Sequence, residues 1–233
     1  MAIPSDEISK SVNADFPSGE RWLQHRFVLM RLMLVLYWLA PGELSAQKLT
    51  FTHMTTADGL PSNAIEEVLQ DHRGFLWLGT SGALVRYDGY EMKAFRHVEN
   101  DSTSLSDDWV LALHEADDGT LWVGTMGGLN RFDASTETFE SFRHVEGDPT
   151  SLVHDHVQSI HETADGTLWV GTRGGGLNRF DAATETFESF GHVEGDFTSL
   201  SHNLVLSIYE SSDSTLWVGT YDGLNRFDVA TET

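Results

Sequence analysis

The stretch Gly166–Asp181, GTLWVGTRGGGLNRFD, recurs as GTLWVGTMGGLNRFD at Gly119–Asp133 and as STLWVGTYDGLNRFD at Ser214–Asp228. A looser copy, GFLWLGTSGALVRYD, lies at Gly74–Asp88. The tryptophans of these copies, Trp77, Trp122, Trp169 and Trp217, are 45, 47 and 48 residues apart. A fixed period in that range means one supersecondary unit used repeatedly, and such a unit buries its apolar faces only against its neighbours.

Within one unit, Leu168–Thr172 is β-branched and aromatic, follows the turn signal Asp165-Gly166 and ends at Arg173-Gly174-Gly175-Gly176, which describes a strand between two turns. Leu177–Asp181, Thr186–Phe190 and, upstream, Val157–Glu162 read as three more strands. No stretch of helical period and length follows residue 60, so a helical solenoid is excluded. Leu168 and Val170 fall on one face of their strand and Trp169 on the other, so both faces of the sheet must be covered. Four-stranded units with a period of roughly 40–50 residues meet that requirement as propeller blades set radially about an axis. The expected fold is therefore all-β: a β-propeller of four four-stranded antiparallel blades, the last incomplete, forming an open arc of a larger propeller.

The pattern LWVGT-x-GGLNRFD, followed by TETFESF and then by TSL, resembles the two-component regulator propeller repeat over about residues 48–233. The resemblance implies the extracytoplasmic sensor region of a hybrid two-component histidine kinase or related membrane receptor. Its implied partners are a small-molecule or oligosaccharide ligand and the remaining receptor domains, with a homodimer formed through the missing region. No cofactor is implied.

Charge fits that reading. With 14 Lys and Arg against 36 Asp and Glu, the formal net charge is −22, which disfavours nucleic acid and anionic membrane surfaces as partners. The absence of cysteine excludes disulfides and thiolate metal sites.

Residues 1–29 form a non-conforming N-terminal extension. Residues 30–46 read as a signal peptide: Arg31, the apolar run Leu32–Ala40, then Pro41-Gly42 and Leu44-Ser45-Ala46, with cleavage between Ala46 and Gln47. The nine-residue apolar run is too short for a bilayer span, which takes ~20 residues. Because residues 1–29 contain Asp6, Glu7, Asp15 and Glu20, translation is expected to begin at Met30, giving a 17-residue signal. The exported product is expected in the periplasm, with the full receptor anchored in the inner membrane.

The propeller then occupies 47–233, with blades at about 62–97, 107–144, 154–192 and 202–233. Leu49–His53 aligns with the outer strands and reads as an orphan outer strand. Two arrangements stand open: a four-bladed ring closed by Leu49–His53 against Leu224–Phe227, or, preferred, an arc belonging to a longer receptor.

Residues present in every blade serve the blade; a ligand site needs residues that break the pattern. The tryptophans are therefore expected in the core, His97, His144 and His192 in structural or surface roles, and Gly79, Gly124, Gly171 and Gly219 at close blade-to-blade contacts. His114 and His161 are equivalent to each other and to Leu69 and Tyr209, and Glu115, Glu162 and Glu210 repeat as well. Pattern-breakers gather in two loop sets expected on one rim. The turns after the second strands carry Ser81, Met126, Arg173 and Tyr221. The blade-to-blade connections carry Ser62-Asn63-Ala64, Asp107-Asp108-Trp109, His154-Asp155-His156 and His202-Asn203-Leu204.

The candidate ligand residues are thus Trp109, Arg173, Tyr221, Met126, Asp108, Asp155, His156 and Asn203, a set suited to sugars. Alternating parity directs Asp155 away from His154 and His156, which argues against a metal there. No GxSxG, HExxH or P-loop pattern occurs, and no catalytic residue is expected. Two other functions stay open: a propeller lyase for a polysaccharide or lactone, with His156 as its candidate, and a secreted protein-binding scaffold.

Overall fold

The computed structural model describes residues 49–229. The extension 1–29, the Met30 start, the signal peptide with its Ala46–Gln47 junction, and residues 230–233 lie outside the described residues. Two units are distinguished, 1–52 and 53–233. Of the first, residues 49–52 are described and adopt no regular structure. The second holds four antiparallel sheets and no α-helix among the described residues.

The first sheet comprises β1 (Ile65–Gln70), β2 (Leu76–Thr80), β3 (Leu84–Tyr87) and β4 (Met92–Phe95). The second comprises β5 (Val110–Glu115), β6 (Leu121–Thr125), β7 (Gly128–Asp133) and β8 (Thr138–Phe142). The third comprises β9 (Val157–Glu162), β10 (Leu168–Thr172), β11 (Gly176–Asp181) and β12 (Thr186–Phe190). The fourth has three strands, β13 (Val205–Glu210), β14 (Thr215–Thr220) and β15 (Gly223–Asp228). Strands follow sequence order in every sheet, so each blade is a meander. Its tight β1–β2-type turn depends on a left-handed residue, supplied by Gly119 and Gly166 at φ +86° and +84°.

The cores lie between blades rather than within them. Trp77, Leu84 and Phe95 of the first blade pack with Leu105, Val110, Leu121, Val123, Phe132 and Phe139 of the second. Trp122 and Leu129 meet Leu152, Val157, Leu168, Val170 and Phe180 of the third. Trp169 and Leu177 meet Val205, Leu216 and Val218 of the fourth. Leu168 and Val170 thus point into one core and Trp169 into the next, as alternation requires. Three of the four repeated tryptophans stand edge-on to a phenylalanine of the following blade: Trp77–Phe132 and Trp122–Phe180 at 5.2 Å, Trp169–Phe227 at 5.5 Å. Burying one such ring contributes about 4–6 kcal/mol before entropy is subtracted.

The second-strand glycines let the sheets approach. A methyl at Gly79, Gly124 or Gly171 would stand 3.0, 2.6 or 2.5 Å from Cγ1 of Val110, Val157 or Val205 of the following blade. Carboxylates add clasps. Glu115 accepts the His72 N–H at 2.9 Å, Glu162 that of Asp117 at 2.8 Å and Glu210 that of Ala164 at 2.7 Å. On the outer side Arg86 reaches Glu137 at 2.9 Å and Arg131 reaches Glu185 at 2.7 Å, again from one blade to the next.

Among the described residues no core cluster joins the first and fourth blades. The orphan outer strand expected at Leu49–His53 is not formed: residues 49–55 carry no strand, and Leu49 and Phe51 are exposed. An extended segment becomes a strand only when an edge accepts its backbone groups. β15 pairs with β14 alone among the described residues, so the four-bladed ring is not what is observed and the open arc is.

Candidate functional site

Each blade brings its two variable loop positions together by one backbone hydrogen bond. Ser81 N–H reaches Ala64 O at 3.4 Å, Met126 N–H reaches Trp109 O at 3.2 Å, Arg173 N–H reaches His156 O at 2.9 Å, and Tyr221 N–H reaches Leu204 O at 3.0 Å. The strands are fixed by repeated residues, so this contact recurs while the side chains it carries change. Four different pairs therefore stand at one end of the blades: Ala64/Ser81, Trp109/Met126, His156/Arg173 and Leu204/Tyr221.

Blades three and four join further through the bridge between Arg173 and Leu204 and through Asn203 O, which accepts the Gly174 and Gly176 N–H groups at 3.0 and 2.8 Å. The rings of His202 and Tyr221 lie 5.6 Å apart. Trp109, Met126 and Tyr221 are 42, 39 and 74% exposed, unlike the repeated tryptophans Trp77 and Trp169 at 0%. Trp109 is oriented by its indole N–H to Glu66 Oε1 at 3.3 Å.

Arg173 places a positive charge among the acidic residues of this rim. The Arg173 side chain is exposed and has no partner among the described residues. By contrast Arg86, Arg131 and Arg179 are each paired to glutamates. His154 and His156 flank Arg173, and the His156 N–H donates to His154 Nδ1 at 3.0 Å. Burial, then the neighbouring Arg173 and His154, hold the His156 imidazole below its ordinary value, and its Nε2 is buried without a partner. A negative or hydroxyl-rich ligand would meet attraction at the exposed Arg173 guanidinium.

The other three candidates are engaged within the loops. Asp108, Asp155 and Asn203 accept the backbone N–H of His97, His144 and His192 at 2.7, 2.6 and 2.5 Å. The constant spacing of 11 residues between each pair is the signal that marks this as a property of the repeat. His97, His144 and His192 pin the same loops through Nδ1 to the carbonyls of Leu105, Leu152 and Leu200. Among the described residues no cluster of histidine and carboxylate groups is arranged to hold a metal ion.

At the opposite end of the first strands lie His114 and His161, their rings 6.3 Å apart; His114 Nε2 is 3.7 Å from Glu162 Oε2, and the buried His161 Nε2 has no hydrogen bond among the described residues. Burial lowers both imidazoles, His161 further by the nearby His114, whereas Glu162 partly restores His114. Periodicity concealed these groups, because a residue shared by two blades looks like scaffold.

Comparison with known proteins adds four findings. Residues 59–82, 104–127, 151–174 and 199–222 each match the two-component regulator propeller family. Histidine kinase P4 of Formosa agariphila is 35% identical over 75 residues, which are 31% of this chain and 6% of the kinase. An extracellular domain assigned to a hybrid two-component system of B. thetaiotaomicron superposes with a TM-score of 0.65 at 24% identity, over 77% of this chain and 23% of that one. A second such domain from the same organism gives 0.59 at 25% identity, over 78% and 31%. The chain thus spans less than a third of the length of each. Among the described residues no helix is long and apolar enough to cross a membrane.

Proposed function

We propose that this chain, whose four repeats are two-component regulator propeller repeats, is the extracytoplasmic ligand-sensing region of a two-component receptor, and that its ligand is a carbohydrate held on the variable rim. The kinship with a histidine kinase and with extracellular domains of hybrid two-component systems supports the receptor class. The observation that carries the site is the recurrent hydrogen bond that sets two variable side chains abreast in each blade, while the repeated residues are consumed by packing and loop pinning.

Trp109 beside Met126 offers an apolar platform for the C–H face of a sugar ring. Arg173 beside His156 offers a planar donor fork for vicinal hydroxyls or a carboxylate. Tyr221 beside His202 offers a second ring. In this reading the blades catalyse nothing, and the bound state is passed to a kinase region elsewhere in the receptor.

Calorimetric titration of the secreted form with neutral and uronate oligosaccharides tests the reading. Trp109→Ala and Arg173→Ala are each expected to weaken binding by about tenfold or more, since 1.4 kcal/mol is a factor of ten. Undiminished binding in both variants would remove the rim from consideration, and no binding by any oligosaccharide would remove the ligand class.

A further inference from the structure

The turn between the second and third strands is longer in the third blade than in its neighbours. Arg173-Gly174-Gly175 fills it, because Thr172 pairs with Gly176, whereas two residues suffice between Thr125 and Gly128 and between Thr220 and Gly223. The added residue is accommodated at Gly174, whose φ of +129° suits glycine. It carries the turn onto the connection that enters the fourth blade. Gly174 and Gly176 both donate to Asn203 O, and Arg173 bridges to Leu204. The turn of the second blade makes no backbone bond to the third blade's connection among the described residues.

Arg173 therefore stands between two connections, and each holds a histidine of fixed tautomer. One position in every connection caps the N–H two residues on: Ser62 Oγ for Ala64 at 3.1 Å, Asp107 Oδ1 for Trp109 at 2.8 Å, His154 Nδ1 for His156 at 3.0 Å and His202 Nδ1 for Leu204 at 2.9 Å. A neutral imidazole that accepts at Nδ1 carries its proton on Nε2. His154 and His202 thus each keep one N–H donor that capping does not consume. The His154 ring lies against the lengthened turn, its Nε2 3.3 Å from where a methyl on Gly174 would stand, and the His202 ring lies against Tyr221.

The same positions shed negative charge. Where the second blade has Asp107-Asp108, the third has His154-Asp155 and the fourth His202-Asn203. Of the carboxylates left nearby, Asp155 accepts the His144 N–H at 2.6 Å and Asp222 follows Tyr221 in the next turn. A carboxylate accepts at both oxygens and donates nothing. A sugar hydroxyl brings a proton of its own, for which a guanidinium and two Nε2–H groups offer no acceptor.

We propose, building on the reading of this rim as a carbohydrate site, that the ligand is an acidic sugar whose carboxylate is held by the Arg173 guanidinium and the Nε2–H groups of His154 and His202. The planar fork of Arg173 takes the carboxylate in two parallel bonds, and charge assistance makes these stronger than bonds to a neutral hydroxyl. Tyr221 then receives the face of the sugar ring.

The probes are oligomers of galacturonate, glucuronate and mannuronate, each titrated into the secreted form beside its carboxyl-reduced, neutral counterpart and a sulfated one. At least one uronate is expected to bind roughly tenfold or more tighter than its reduced form. Arg173→Gln should bring that ratio to about one. His154→Ser and His202→Ser keep the cap, as Ser62 does, and should each lower the ratio by about threefold with an unchanged melting temperature. Equal binding of acidic and reduced forms, tighter binding of the sulfated form, or a ratio untouched by all three substitutions overturns the carboxylate assignment and leaves the carbohydrate reading standing. Binding of none of the sugars overturns both.

Discussion

Gly124→Ala probes the contact on which blade stacking depends. The added methyl would stand 2.6 Å from Val157 Cγ1 and 3.2 Å from both Val157 Cβ and Ala112 Cβ. Carbon atoms pack best at ~3.5–4.0 Å, so the closest contact is about 1 Å too short. Val157 is fully buried and β-branched, so it cannot rotate away cheaply, and the third blade must shift. Overpacking of this kind costs about 1–3 kcal/mol, and we expect about 2. Val157→Ala alone removes two methyl groups and leaves a cavity, also at about 2 kcal/mol. In the double variant the new methyl occupies part of that cavity, so the expected total is about 2 rather than about 4 kcal/mol.

Gly219→Ala is the internal control. The nearest atom to its added methyl is Oγ of the exposed Ser207, 2.6 Å away on a freely rotating side chain, and no valine of a following blade is near. Its cost should stay below about 0.5 kcal/mol. Urea unfolding followed by tryptophan fluorescence measures all four variants. Equal losses for Gly124→Ala and Gly219→Ala, or simple additivity in the double variant, would refute the account of these glycines.

Two other perturbations separate interior from edge. Asn130→Ala should cost about 3 kcal/mol, because the buried amide serves Ser106, Ser141, Val123 and Gly128, whereas the half-buried Asn225→Ala should cost about 1 kcal/mol; thermal unfolding compares them. Burial lowers the folded-state values of His114 and His161, so below the ordinary histidine value of about 6.5 the unfolded chain binds more protons. Stability should therefore fall as pH drops from about 6.5 towards the folded-state values. His114→Leu, which installs the residue type of Leu69, should flatten that slope in urea titrations at pH 7.5 and 5.5, and an unchanged slope would exclude His114 as its source.

Much of the scaffold is readable from residue order, because alternation and turn residues are local signals. Val157–Glu162, Leu168–Thr172 and Thr186–Phe190 are strands with the bounds expected, and the strand expected at Leu177 begins one residue earlier at Gly176. What stayed hidden involves backbone partners, which carry no residue identity. Nothing in the side chains announces that Glu162 will accept the Asp117 amide, or that Asp155 will accept that of His144. The pairing of Arg173 with His156 on the rim was legible only as two neighbouring loop sets; the hydrogen bond between them needs the register bulge in β9. Leu49–His53 misled for the converse reason: it has the composition of an outer strand, but composition cannot supply an edge to pair with.

That every hydrophobic core is shared by two consecutive blades has a consequence for how such chains change length. Any whole number of units removed or inserted cuts one seam and rejoins another made of the same valine, glycine, tryptophan and phenylalanine, so no interior has to be redesigned. Gene duplication can therefore vary the count of blades at little energetic penalty, while each copy remains free to carry a different pair of residues on its rim.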